Sequence, residues 1–339
     1  MAGGRVIPNR LQSQPFQTNL NRVGMGLPRA AISLLLHEAN RRPFSGTIAT
    51  LGRQHVYATE DEIRQLAARH NVQPGNAAIT LHREPSLQAC HFVSDDSLYQ
   101  LLGFQQSVRI DCSEYEAPDE LIDLNQLETP PHLVETFDVV LDSGTIEHIF
   151  DVPAALRHCS RMLRPGGRVI HITPTANCVD HGFYSISPTL YADFYQASGF
   201  EIDRLYVCRL PKRFERQSWQ AYDYLQAGCE SLPLGRLDHR LWFTYAVATR
   251  TKDSLPVVPQ QSFYLTTWSD WGKQVEQTQG EQAHAEPPHT KAAQLLRMVQ
   301  FSPMLTGLAR HAIRWWRWSV KRLRASGEKR VPWPYAGRF

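Results

Sequence analysis

No two cysteines stand at the C-x-x-C interval, and no zinc-type spacing occurs in the chain. The six cysteines, Cys90, Cys112, Cys159, Cys178, Cys208 and Cys229, are scattered singly over 339 residues. That pattern describes reduced thiols, mostly small core residues, and gives no reason to expect a disulfide framework or a metal. No run approaches the ~20 apolar residues of a membrane span. The opening residues, MAGGRVIPNRLQSQPFQTNL, lack the apolar stretch of a signal peptide, so the cytoplasm is the expected location. Charge is nearly balanced, at a formal +3, which excludes a polyanion binder defined by bulk charge, and no nucleic-acid partner is expected. There is no G-x-G-x-x-G fingerprint, no Tyr-x-x-x-Lys pair at the usual place and no internal repeat, which weighs against a dehydrogenase or epimerase. The hydrophobic fraction of 42% is that of an ordinary globular protein with a core.

The periodicity gives the architecture. Residues 1–27 read as a polar extension, and Pro28 to Asn40 as a short helix with Ile32, Leu35 and Leu36 on its apolar face. GTIATLG (46–52) is a β-type run ending in glycine, and Glu60 to His70 an amphipathic helix. Residues 71–95 carry little pattern and read as an insertion or lid. Leu98 to Phe104 is a helix capped by Gly103. SVRIDC (107–112), LIDL (121–124) and FDVVLD (137–142) are strands with acidic residues at or near their ends. A helix over 152–163 follows, then a turn at Pro165-Gly166-Gly167 and the strand RVIHIT (168–173). Another helix spans Ser187 to Ser198, and strands cover Phe200 to Cys208 and Leu241 to Thr249. Strands alternating with helices imply right-handed βαβ units and a parallel sheet covered on both faces. The last strand follows an irregular segment instead of a crossover helix, so it is expected to run antiparallel. The fold class is thus α/β, a doubly wound and mostly parallel sheet with an N-terminal helical extension and a C-terminal helical tail.

The segment FDVVLDSGTIEHIFDVPAALRHCSRMLRPGGRVIHITP, residues 137–174, resembles class I S-adenosylmethionine-dependent methyltransferases, from their fourth strand through the next helix to the fifth strand. The Leu-Arg-Pro-Gly-Gly turn is its most specific element. LGRQ (51–54), IDCSEYE (110–116), DLN (123–125), SGTIEH (143–148) and HGFYSISP (181–188) extend the likeness to a bacterial methyltransferase-domain subgroup, over roughly residues 45–210. One departure stands out. The family's first glycine loop is reduced to Gly52, followed by Arg53 and Gln54, and the interval from Gly52 to Asp111 exceeds the ~20 residues usual between glycine loop and ribose-binding acid.

Composition and pattern, with the resemblance, give an extension over 1–45, a methyltransferase domain over 46–255, a polar linker over 256–290 and a basic helical segment over 291–339. The resemblance implies S-adenosylmethionine as cofactor, lying outside the carboxyl ends of the strands. The expected cofactor contacts are Gly52 and Arg53 after the first strand, Asp111 and Cys112 after the second, Asp123 and Leu124 after the third, and Asp142, Ser143 and Gly144 after the fourth. A carboxylate at Asp111 suits the ribose hydroxyls, with Glu114 as the alternative, and Asp123 the adenine amino group. His148 is the expected general base, and Glu147 either orients it or binds substrate, while His181 and Tyr184 line an acceptor pocket with Gly182 and Phe183. Each has an ordinary structural reading beside it: turn glycine, strand-end acid, helix cap or core anchor. His171, inside a strand, reads as structural.

Arg310 to Arg330 holds eight basic residues and one acid, Glu328, with Ile313, Trp316, Val320 and Leu323 on one helical face. Such a helix suits either peripheral contact with an anionic membrane surface, at the inner membrane face, or packing on a protein. The sequence-level expectation is therefore methyl transfer to an oxygen or nitrogen of a small molecule or glycan, with a lipid-linked acceptor as the finer expectation that this helix adds. The competing expectation is a methyltransferase-like scaffold without catalysis.

Overall fold

The computed structural model describes residues 26–224, 237–269 and 333–339. The 310–330 segment and most of the 256–290 and 291–339 stretches lie outside these residues. In chain order the elements are β1 (Leu27–Pro28), α1 (Arg29–Arg41), β2 (Thr47–Leu51), β3 (Val56–Tyr57), α2 (Glu60–Arg69), α3 (Pro85–Gln88), α4 (Asp95–Leu102), β4 (Gln106–Asp111), β5 (Glu120–Leu121), β6 (Phe137–Ser143), α5 (Val152–Met162), β7 (Leu163–Ala176), α6 (Pro188–Ala197), β8 (Glu201–Arg209), β9 (Gln220–Asp223), β10 (Trp242–Thr249) and β11 (Tyr335–Arg338). No helix among the described residues is long and apolar enough to cross a membrane.

Nine strands form the main sheet, in the order β11-β9-β8-β10-β7-β6-β2-β4-β5. The pairs from β5 through β7 are parallel. β10 is antiparallel to both β7 and β8, as its connection predicts. From β2 the chain winds outward in one direction through β4 and β5, then returns to the other side of β2 as β6 and β7. The strand order therefore reverses between β2 and β6, and a crevice opens beyond their carboxyl ends.

Local chemistry explains most boundaries. Thr59 and Glu62 form a reciprocal capping box at the start of α2. Ser94 caps α4, so the helix begins at Asp95, earlier than hydrophobic spacing alone suggests, and Gly103 ends it in the left-handed conformation. Two differences from the sequence-level reading concern backbone pairing. The third strand is only Glu120–Leu121, because Asp123 and Asn125 already turn the chain beyond it. Residues 164–167 are a bulge inside β7, not a turn before it: Phe137 pairs with Leu163, and the ladder resumes with Val139 opposite Arg168.

α1 is part of the core and not an appendage. Leu34, Leu35 and Leu36 are buried in one apolar cluster with Val139, Ile170 and Tyr245 from the sheet. Its buried Glu38 meets the buried guanidinium of Arg168 on β7 at 2.6 Å, and Arg168 stacks over Phe44. A boundary at residue 45 therefore does not separate two packing units. The second cluster, on the other sheet face, joins α5 and α6 through Leu156, Cys159, Tyr191 and Phe194.

Candidate functional site

The crevice at the strand reversal is built from the residues that end β2, β4, β5 and β6. Gly52 follows β2 with φ +71°, a conformation that strains any residue with a Cβ. Its N–H donates to Ile110 O at 2.7 Å. A Cβ built on Gly52 would stand 3.6 Å from Asp111 Oδ2 and 3.5 Å from Thr145 Oγ1. Gly52 thus sits between the β4 carboxylate and the loop after β6. Thr145, which sequence spacing did not single out, donates its hydroxyl to Leu51 O at 2.6 Å and ties the two sides of the strand reversal together. Gly52→Ala is expected to cost about 1–2 kcal/mol of stability from backbone strain alone, because the contacts around the new methyl are ordinary. Thermal unfolding of the variant checks this.

Arg53 does not fill the crevice. Its guanidinium pairs with Asp95 and donates to the carbonyls of Glu116 and Ala117. It therefore pins the loop after β4 to the start of α4 and leaves the Gly52 side clear. Asp95 in turn binds Arg109 of β4, which also pairs with Asp96 and Asp119. Gln54 is buried, with its amide donating to Leu51 O.

The other expected residues separate into groups. Asp111 is partly exposed, and its Oδ1 accepts the Ser113 N–H at 2.9 Å while Oδ2 faces Gly52. Cys112 beside it is exposed, and slight desolvation of its thiol together with the Asp111 charge raises its pKa. Asp123 is exposed, and the Asn125 N–H and amide hold its carboxyl below the usual range. Leu124 is buried in the α5 cluster, so its side chain belongs to the core and not to the crevice surface. Asp142 is fully buried. Its Oδ1 accepts the N–H groups of Thr145 and Ile146, and Oδ2 meets His171 Nδ1 at 2.8 Å. Both oxygens are engaged inside the protein, so this carboxylate shapes the turn and does not present itself to a ligand. His171 reaches Tyr195 with its other nitrogen, as a structural residue would. Ser143 is buried and donates to Gly26 O. Gly144, at φ +84°, lets the loop turn back over Gly52.

A second group lies beside the crevice. A short 3-10 turn, Ile146–His148, follows β6, and the loop after β7 folds against it. Phe183 and Tyr184 N–H groups both donate to Glu147 O. Gly182 makes this contact feasible: at φ +106°, any Cβ there would come within 2.9 Å of the same carbonyl. The result brings His181 Nε2 to 3.6 Å and His148 Nε2 to 3.9 Å from Glu147 Oε1. The His148 and His181 rings meet edge to face at 5.1 Å. Burial pushes the Glu147 carboxyl up to about 7, with the Asp142 charge adding to the rise and His181 opposing it. Burial and the neighbouring His181 push His148 down. The Tyr184 hydroxyl donates to Phe150 O, and Phe150 and Phe183 form an exposed aromatic pair beside it. Nearby, a small apolar recess with room for about one water molecule is lined by Gly26, Tyr57, Ser143, Ile172, Trp219 and Phe243.

Residues 76–169 match the family described as a methyltransferase domain. The match leaves out β2 and Gly52 and ends inside β7. A ubiquinone biosynthesis O-methyltransferase of Parvibaculum lavamentivorans is 45% identical over 49 residues, 14% of this chain and 19% of the relative. The chain thus spans about a fifth of the length of that curated relative. Among solved structures, the N-methyltransferase NodS of Bradyrhizobium japonicum WM9 is similar at 12% identity, 66% of this chain and 96% of that chain, with a TM-score of 0.36. A Burkholderia thailandensis 1,6-didemethyltoxoflavin-N1-methyltransferase, solved with bound 1,6-didemethyltoxoflavin and S-adenosylhomocysteine, is similar at 13% identity, 66% of this chain and 78% of that chain, with a TM-score of 0.31. The matched segment carries the strand, helix and bulge on which the sequence resemblance rested. Over residues 76–169 the chain is thus similar to the methyltransferase-domain family.

Proposed function

We propose that this protein transfers a methyl group from S-adenosylmethionine to an oxygen or nitrogen of a small molecule or saccharide. The observation that carries this reading is the placement of Gly52, flanked by the Asp111 carboxylate and Thr145, where the strand order reverses. A residue without a Cβ beside a strand-end carboxylate suits the close approach and the ribose hydroxyls of an adenosyl group. The fit is helped by Arg53, whose side chain turns to Asp95 and away from that space. Asp111 would take the ribose, and Gly52 and Gly144 the backbone approach. Asp123, at the end of β5, and the exposed Cys112 border the adenine side.

When bound, S-adenosylmethionine supplies an electrophilic methyl group on sulfur. This chain's residues then have to orient the acceptor, exclude water and accommodate the proton that the acceptor gives up. Glu147, His148 and His181 are the polar groups placed for that task, with Tyr184 and Phe183 beside them. His148 is the proton acceptor and Glu147 its orienting partner. The curated relative's O-methyl transfer agrees in reaction type. A lipid-linked acceptor, met at a membrane surface through 310–330, is the finer form of the proposal and rests on the charge and tryptophan pattern of that segment alone.

Calorimetric titration with S-adenosylhomocysteine tests the cofactor half of the proposal. Micromolar binding is expected. A folded sample that binds neither this product nor S-adenosylmethionine would put the non-catalytic scaffold in its place.

A further inference from the structure

Glu147 is fully buried, yet neither of its carboxylate oxygens has a hydrogen-bond partner among the described residues. His181 Nε2, also buried at the atom, is unpartnered as well. Buried carboxylates are normally satisfied, since an uncompensated charge away from water is costly. Here three orphan polar atoms face one another, and His148 completes the group from the exposed side.

We propose that Glu147, His148 and His181 form a binding site for one divalent transition-metal cation at the acceptor edge of the crevice. This inference deepens the methyltransferase reading and rests on it only for the cation's role, not for its binding. One carboxylate oxygen and two imidazole nitrogens all lie within 4.8 Å of one another. Ligand atoms about 2.1 Å from a four-coordinate ion stand about 3.4 Å apart. The separations of 3.6 and 3.9 Å from Glu147 Oε1 to the two imidazoles already approach that spacing, so small side-chain rotations suffice. A carboxylate with two imidazoles is a donor set for zinc, manganese, iron or cobalt and not for calcium, which takes oxygen ligands. The scaffold is stiff where it needs to be. Two backbone N–H groups fasten the His181 loop to the Glu147 carbonyl, and the Asp142 carboxylate holds the turn that carries Glu147.

Three protein ligands leave at least one coordination position open, as at catalytic zinc sites. His148 is the exposed member of the group, so solvent reaches the cluster from its side. A cation there would orient an acceptor oxygen and ease loss of its proton to solvent. The oxygen lone pair then forms the new O–C bond as the C–S bonding pair leaves with sulfur. In that case the cation takes over the activating role assigned to His148 in the cation-free site.

The test uses the full chain, freed of metal by chelator dialysis and titrated separately with Zn²⁺, Mn²⁺ and Co²⁺. The expected result is one high-affinity site, with Co²⁺ giving visible absorption bands of a low-coordinate, nitrogen-containing shell. Affinity should fall at least about tenfold in both Glu147→Gln and His181→Ala. Glu147→Gln is isosteric and removes only the charge, so it should keep the parental unfolding temperature in the absence of metal. S-adenosylhomocysteine affinity is read on the same samples. Absence of cation binding by a folded protein, or binding equally tight in both variants, would overturn the site. Loss of S-adenosylhomocysteine binding with cation binding intact would instead count against the methyltransferase reading alone.

Discussion

Replacing Asp111 with Ala is expected to weaken S-adenosylhomocysteine binding by on the order of 100-fold while the protein stays folded. The carboxylate is partly exposed and gives the fold little more than one hydrogen bond, to Ser113 N. Its loss should therefore cost well under ~1.5 kcal/mol of stability. To a bound adenosyl group it offers two charge-assisted hydrogen bonds, which together are worth about 3 kcal/mol. At 1.4 kcal/mol per tenfold, that is about two orders of magnitude in affinity. Calorimetry with parent and variant at equal ionic strength makes the comparison. Affinity unchanged in a folded Asp111→Ala variant would remove the ribose role from this residue and move the cofactor, if there is one, elsewhere along the strand ends.

Asp142→Ala should show the opposite pattern, a large stability loss whatever its effect on binding. The side chain is fully buried and serves three partners: the N–H groups of Thr145 and Ile146, and His171. Removing it leaves those partners without an acceptor in the interior, a defect that typically costs about 3–5 kcal/mol. In a domain of this size the unfolding midpoint should fall by roughly 10 °C. Asp142→Asn retains an acceptor oxygen for the turn and should recover part of the loss. Thermal unfolding followed by circular dichroism decides the matter. A midpoint within about 2 °C of the parent would mean that the buried network contributes little and that Asp142 is free for another task. The two substitutions separate acids that look alike in the sequence, each closing a strand of the same sheet.

That likeness shows where one-dimensional reading stops. The alternating strands and helices, the antiparallel last strand and the acids at the carboxyl ends were all legible, because side-chain periodicity reports burial directly. The Leu-Arg-Pro-Gly-Gly segment was legible as a family mark, though its geometry was not. Whether 164–167 forms a turn or a bulge depends on the β6 ladder alongside it. β9 and β11 went unseen, since strands of four residues are too short for a period and owe their pairing to each other and to β8.

What the sequence by itself determined was the sheet, its winding and the stations along it where a ligand would stand. The tertiary structure alone decided which side chains at those stations are available. It buried Asp142 against His171 and Leu124 in the core, and it drew Arg53 aside to Asp95 across 42 positions of chain. It also placed His181 against Glu147, 34 positions earlier, by fastening one loop onto the carbonyl of another. The reason is physical: burial and charge pairing are set by long-range packing, and a carboxylate's neighbours in space leave no trace in its neighbours along the chain.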